Sequence, residues 1–315
     1  MKTLLLCLLT STLPLMTTAM GQQSPRGALA YAVGDGTSGY VLFSENGSKK
    51  LPIASLTKIA TAMVVLDWAD VRKQDLGQKV VVPADIARVG GANPVGFEPG
   101  DMVTLRDLLY AALLQSDNRA AYTLADHVGQ TLLTRDKAQV HPVDLFVAQM
   151  NALARRLGMK NTRFLNPHGL DHEEHPYSTA EDLILLSSYA MKRSAFRFMV
   201  SQPQRKITRY LATGGEVQYN LVNTNELLGR HGIDGIKTGR TSRAGGCVIV
   251  SAERRPESVR NADGTYTITP RRLVVVVLNS NDRFGFAERL LQHGWREYDD
   301  WAAKGRPLNS KRGKR

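Results

Sequence analysis

The stretch Pro52-Ile53-Ala54-Ser55-Leu56-Thr57-Lys58 runs into a segment in which Ile59, Met63, Val64, Leu66 and Trp68 recur close to a 3.6-residue period. That period predicts a helix, and its apolar residues face several sides, so the helix is expected to be buried. Working outward, two apolar runs, Ala28 to Val33 and Tyr40 to Phe43, flank Asp35-Gly36-Thr37-Ser38-Gly39, whose residue types suit a tight turn, and read as a β-hairpin. Helices follow. Thr104 can cap Leu105 to Leu114, Ala120 to Val128 comes next, Val143 to Leu157 is amphipathic, and Ser178 with Glu181 reads as a capping box ahead of Leu183 to Met191. The last third reads as strands at Lys206 to Tyr210, Ile233 to Thr238, Cys247 to Ala252, Tyr266 to Thr269 and Leu273 to Leu278, then a helix from Phe284 to Ala303. An order of strands, helices, strands, helix lets the opening hairpin pair with the late strands in one antiparallel sheet with flanking helices. The helical middle, about residues 60–200, then forms a second lobe, and a site is expected in the cleft between them. The fold class is α+β.

The 315 residues are 43% hydrophobic and 22% charged, which is ordinary globular usage and excludes disorder or a coiled coil. Lysine plus arginine exceed aspartate plus glutamate by 41 − 29 = +12. Half of that excess is Lys304, Arg306, Lys311, Arg312, Lys314 and Arg315 in a tail (304–315) without acids, so a nucleic-acid surface is not expected; the tail suits peripheral contact with an anionic membrane or wall polymer. Residues 1–21 start with Lys2, turn apolar from Leu4 to Leu9 and reach small residues at Thr17, Thr18 and Ala19, the pattern of a signal peptide for export. With Cys7 in that leader, Cys247 stands alone, so neither a disulfide nor a cysteine zinc site is expected. Residues 22–303 remain as one catalytic unit.

Three short motifs stand where the two-lobe picture needs them: Ser55-Leu56-Thr57-Lys58, Ser116-Asp117-Asn118 and Lys237-Thr238-Gly239. Alone each is common; together and in this order they are specific. A lysine three residues after a serine on a helix lies on the same face, and a neutral amine there can take the serine proton if burial and a nearby cation depress its pKa. Lys237 can supply that cation. Ser116 can relay a proton to a leaving amine, and Asn118 can hold Lys58 and a substrate carbonyl. On a strand edging the cleft, Gly239 admits a substrate backbone, while Lys237 and the Thr238 hydroxyl can bind a carboxylate. The backbone N–H groups of Ser55 and Arg240 are the natural oxyanion pair, a role for which the side chain of Arg240 is immaterial.

The triple is the signature of β-lactamases and penicillin-binding proteins. With Asn166-Pro167-His168-Gly169-Leu170-Asp171, Tyr177-Ser178-Thr179-Ala180 and Asp234-Gly235-Ile236-Lys237-Thr238-Gly239-Arg240-Thr241, the chain from about Ala28 to Trp301 resembles the low-molecular-mass penicillin-binding proteins, the serine D-alanyl-D-alanine carboxypeptidases. The resemblance implies the penicillin-binding, β-lactamase-like transpeptidase fold. It also implies Ser55 as nucleophile, Lys58 as general base, Ser116 as second active-site serine and Lys237 as carboxylate binder. The substrate implied is a peptidoglycan stem peptide ending in D-Ala-D-Ala, with β-lactams as covalent inhibitors and no cofactor. Many members carry an amphipathic C-terminal anchor helix; here Leu290, Leu291, Trp295, Tyr298 and Trp301 are expected to pack on the sheet instead.

Three other functions compete. A class A β-lactamase needs a glutamate to activate the deacylating water, and no glutamate lies between Glu98 and Glu173. A DD-endopeptidase that cleaves cross-links uses the same catalytic set, so the sequence leaves that choice open. A non-catalytic wall-binding module is expected to have lost Ser55 or Lys58, and both are present. His168, His172 and His175 with Asp171, Glu173 and Glu174 superficially suggest a metal site, but a serine mechanism needs none, and they are read as a polar loop.

Overall fold

The structure, a computed structural model, describes residues 27–308. The expected leader, Cys7 and the cations Lys311, Arg312, Lys314 and Arg315 lie outside the described residues. The chain opens with the hairpin β1 (Ala30–Asp35) and β2 (Val41–Glu45). Asp35 closes its turn, one carboxylate oxygen accepting from both the backbone and the hydroxyl of Ser38 at 2.6 Å. A 3-10 turn, Ala54–Thr57, leads into α1 (Lys58–Arg72). Two short strands, β3 (Lys79–Val81) and β4 (Met102–Thr104), precede α2 (Leu105–Leu114), α3 (Asn118–Gln130), α4 (Pro142–Arg156), α5 (Ala180–Lys192) and α6 (Ser194–Val200). Then come β5 (Gln204–Tyr210), β6 (Glu216–Val222), β7 (Ile233–Thr241), β8 (Gly245–Arg260), β9 (Tyr266–Leu278) and α7 (Arg283–Ala303).

The opening hairpin does join the late strands: the main sheet has the order β2-β1-β9-β8-β7 with every neighbour antiparallel. The run Leu273–Leu278 explains why this sheet is central. All six side chains are buried, Val274, Val276 and Leu278 against the core shared with α1 and α5, and Leu273, Val275 and Val277 against α7. Each such side chain contributes roughly 1.5–3 kcal/mol of burial energy, which a sheet covered on both faces collects from every residue. Leu290, Leu291, Trp295, Tyr298 and Trp301 are buried on that second face, so the apolar stripe of α7 belongs to the core. Cys247 is fully buried in β8, and burial pushes its thiol up to about 11, making it a small core residue.

Several sequence expectations need correction. A second sheet, β3-β4-β5-β6, escaped notice apart from part of β5. Its first two strands have three residues each, and β6 buries only Leu221, so neither carries a readable alternation. The two strands read at Tyr266–Thr269 and Leu273–Leu278 are one, the second arm of a long β8–β9 hairpin with a bulge between Arg254 and Glu257. The cap of α5 is Thr179, which accepts from the N–H of Asp182. Ser178 is instead bridged to Leu51, and the Glu181 carboxylate accepts from Ser44 Oγ at 2.8 Å.

Among the described residues β7 is an edge strand of the main sheet. Arg272, itself buried, fixes its start by donating to both oxygens of Asp234 (2.8 and 2.7 Å), to Ser251 Oγ (2.6 Å) and to Glu253. The middle of β7 packs on the 3-10 turn, which brings the first and third motifs together.

Candidate active site

Ser55 sits half-buried in the 3-10 turn, and Lys58 is fully buried at the first position of α1. Lys58 Nζ has three neighbours: Ser55 Oγ at 3.0 Å, Asn118 Oδ1 at 2.7 Å and the His168 carbonyl at 2.9 Å. Two of these are acceptors only. A neutral amine has two N–H groups and one lone pair, so it can donate to Asn118 and His168 while its lone pair faces the Ser55 hydroxyl. Burial holds the Lys58 ammonium well below its ordinary value, the charge of Lys237 lowers it further, and Asp117 opposes both. The same surroundings, burial first and then Lys58, lower the His168 imidazole to about 3, so that ring is neutral.

The second motif lies between α2 and α3. Ser116 has a left-handed backbone (φ 64°), a conformation that costs a non-glycine residue roughly 1–2 kcal/mol and that concentrates at functional sites. Asp117 then caps α3, accepting from the N–H of Ala120 at 2.9 Å and of Val95 at 3.3 Å, and burial raises its carboxyl to about 6. This cap starts α3 at Asn118, two residues earlier than its apolar pattern suggested, and the first turn of α3 therefore delivers the Asn118 side chain to Lys58.

On β7, Lys237 is buried and Thr238 nearly so, with Thr238 Oγ1 hydrogen-bonded to Thr224 Oγ1 at 2.7 Å. Lys237 Nζ donates to the Thr238 carbonyl at 3.0 Å; burial, with Arg283 adding, lowers its ammonium to about 7. Gly239 lies tight against the first motif: a Cβ there would stand 3.0 Å from the Ser55 nitrogen and 3.1 Å from Ala54 Cβ, so the turn would have to give by a few tenths of an ångström. The backbone of β7 thus lies directly against the turn that carries Ser55. Ser55, Lys58 and Asn118 are joined by direct hydrogen bonds, Gly239 by packing, and Lys237 by charge.

Sequence reasoning missed three contributors. Arg283, at the start of α7, donates to the Gly239 carbonyl at 2.8 Å; burial, and then the nearby exposed guanidinium of Arg240, lower its pKa. Nothing local to Arg283 announces this, since the sheet brings it back from the far end of β9. Asp171 accepts from Thr241 Oγ1 at 2.9 Å, and His175 Nδ1 accepts from Arg243 Nη1 at 2.6 Å. These bonds tie the loop that carries the His168 carbonyl to the end of β7. The histidine-rich segment accordingly serves as a clasp: Glu174 pairs with Arg163 at 2.6 Å, and among the described residues no three His, Cys, Asp or Glu side chains are placed to hold a metal.

The D-alanyl-D-alanine carboxypeptidase family profile matches residues 17–262. A D-alanyl-D-alanine carboxypeptidase of Bacillus subtilis is 31% identical over 69% of this chain, and the aligned part spans 52% of that relative, about half its length. A D-alanyl-D-alanine endopeptidase of Pseudomonas aeruginosa is 34% identical over 75% of this chain and 71% of its own. Among solved structures, the DD-transpeptidase of Streptomyces K15 superposes with a TM-score of 0.73 at 29% identity, covering 86% of this chain and 97% of that one.

Proposed function

The chain belongs to the D-alanyl-D-alanine carboxypeptidase family of serine peptidases, and from that premise we propose that it removes the terminal D-alanine from peptidoglycan stem peptides through an acyl-enzyme on Ser55. The observation that carries this reading is a fully buried Lys58, its ammonium disfavoured by that burial, 3.0 Å from Ser55 Oγ and steadied by the Asn118 and His168 oxygens. Ser55 Oγ attacks the carbonyl of the penultimate D-alanine as its proton passes to Lys58 Nζ. The oxyanion is received by the N–H groups of Ser55 and Arg240. Because C=O and N–H of a trans peptide point in opposite directions, the Arg283 bond to the Gly239 carbonyl turns the Arg240 N–H away from Arg283. Ser116 passes a proton to the departing amine, and water releases the acyl group with Lys58 again as base. Lys237, the Thr238 hydroxyl and Arg283 receive the carboxylate of the leaving residue.

The test is D-alanine release from a pentapeptide ending in D-Ala-D-Ala, run beside the same peptide with a C-terminal amide. Release only from the free acid is the expected result, together with one benzylpenicillin adduct per molecule on the peptide carrying Ser55. The adduct should be long-lived, since the chain lacks the glutamate position that rapid deacylation of an antibiotic requires. No release and no adduct would refute the reading. The 34% identity to an endopeptidase supports a second reading, cleavage of cross-linked peptides by the same residues. Cross-linked muropeptides consumed faster than pentapeptide would favour it.

The pH profile supplies a further check. Lys237 must be charged to hold a carboxylate, and in the free enzyme its ammonium titrates at about 7. Because kcat/KM reports the free enzyme, it is expected to decline on the alkaline side of about 7 with a limiting slope of tenfold per unit, the acid limb belonging to Lys58. A profile flat from pH 7 to 9 would remove Lys237 from carboxylate recognition.

We place the mature enzyme outside the cytoplasmic membrane, a location supported by the apolar leader at 1–21 and by the wall substrate. Residues 22–303 act as the catalytic unit in this reading. Of the tail (304–315) cations within the described residues, Arg306 is paired with Glu257 at 2.6 Å, so in this reading any contact with an anionic surface falls to the other tail cations.

A further inference from the structure

Asn118 is held by more than its helix. The loop between the short turn Ala84–Arg88 and β4 crosses over it: the Ala92 carbonyl accepts from the Asn118 backbone N–H at 2.8 Å, and the Gly90 carbonyl accepts from Asn118 Nδ2 at 3.1 Å. A carbonyl can only accept, so the Gly90 bond fixes which end of the amide is NH2 and which end, Oδ1, faces Lys58. The loop is itself pinned. Val95 N–H donates to Asp117, Phe97 is fully buried, Arg119 Nη1 donates to the Phe97 carbonyl at 2.7 Å, and Arg209 donates to the Gly96 carbonyl. Gly91 is the closest point of approach. It has φ +73°, and a Cβ there would stand 2.5 Å from Asn118 Nδ2 and 3.0 Å from Leu170 Cδ2, whereas a Cβ at Gly90 would meet nothing within 4 Å.

We propose that the turn Gly90–Ala92 is a positioning element that sets the rotation of the Asn118 amide and, through it, the aim of Lys58 at Ser55, with Gly91 as the residue whose lack of a side chain permits it. The proposal rests on the reading of Lys58 as the base. A methyl at position 91 must push the Asn118 amide, and any rotation that relieves the contact disturbs its bonds to Gly90 and Lys58. Misplacement of a catalytic group on this scale costs up to about a hundredfold in rate.

The experiment compares wild type, Gly90→Ala, Gly91→Ala and Gly91→Ala with Leu170→Ala, each rate being divided by the active sites that labelled penicillin titrates at completion. Gly91→Ala is expected to lower kcat for D-alanine release about 30-fold with KM changed less than about threefold, and Gly90→Ala to stay within about twofold of wild type. The double variant should remain slow, because removing Leu170 does not relieve the contact with Asn118. A merely structural loop would lower the number of titratable sites and leave the rate per site intact. Equal rates per site for Gly90→Ala and Gly91→Ala, or recovery in the double variant, would overturn the proposal. If Gly91→Ala does not fold, Arg209→Met frees the loop at Gly96 without adding an atom near Asn118. That variant is expected to lose about threefold or more in kcat at unchanged KM, and a folded Arg209→Met with wild-type kcat would overturn the proposal equally. A wild type that neither releases D-alanine nor binds penicillin would instead refute the proposed function.

Discussion

Ser55→Ala is expected to bring D-alanine release down to background, a loss of about a millionfold, and to abolish the penicillin adduct. Removing the nucleophile of a serine peptidase costs about as much as removing its whole catalytic set, because the remaining groups have nothing to activate. The fold should not register the change. Ser55 is half-buried, its hydroxyl is hydrogen-bonded to Lys58, and its backbone N–H is retained by alanine. A thermal midpoint within about 3 °C of wild type is therefore expected, since a polar side-chain truncation of this kind lies near the bottom of the usual range of effects. Peptide binding should also survive, because Lys237, Thr238 and Arg283 are untouched. Isothermal titration of the variant with the D-Ala-D-Ala pentapeptide is expected to give binding without turnover. A penicillin adduct on Ser55→Ala, located by mass, would mean that another residue is the nucleophile.

Ser55 and Lys58 were legible because three motifs occur together and in order, and because helical spacing puts the pair on one face of a helix whose apolar pattern marks it as buried. The β1–β2 hairpin and the run Leu273–Leu278 were legible for a similar reason, since alternation and unbroken apolarity are local. Arg283, Asp171 and the Gly90–Ala92 turn were not. Their contacts with Gly239, Thr241 and Asn118 join segments far apart in the chain, and no periodicity records such a meeting. The second sheet was hidden for the opposite reason: β6 presents mostly exposed residues, so a strand is present without the buried face that would advertise it. Residue types at the site were thus readable in the sequence, whereas the groups that orient them were not.

Lys58→Met is expected to slow penicillin acylation by about a thousandfold or more, near the upper end of what a general base contributes. Its effect on stability should distinguish a catalytic lysine from a structural one. Methionine fills a similar volume and leaves the Asn118 Oδ1 and His168 carbonyl acceptors without their donor, at about 1–3 kcal/mol for each buried group left unpaired. Against that stands the cost of holding a buried lysine neutral. Its folded pKa lies below that of the unfolded chain, about 10.4, so between the two the unfolded state binds more protons and the wild type gains stability as pH rises. Lys237 behaves in the same sense from about 7 upward. The variant lacks the share of Lys58. Its thermal midpoint should therefore climb less steeply than that of wild type between pH 7.5 and 9.5, with the two proteins differing least at the acid end, where the neutral lysine costs the wild type most and partly offsets the lost hydrogen bonds. Parallel stability curves would mean that Lys58 is charged in the resting enzyme. Its proton would then have to leave before Ser55 could be activated, and Nζ would have no lone pair to receive one.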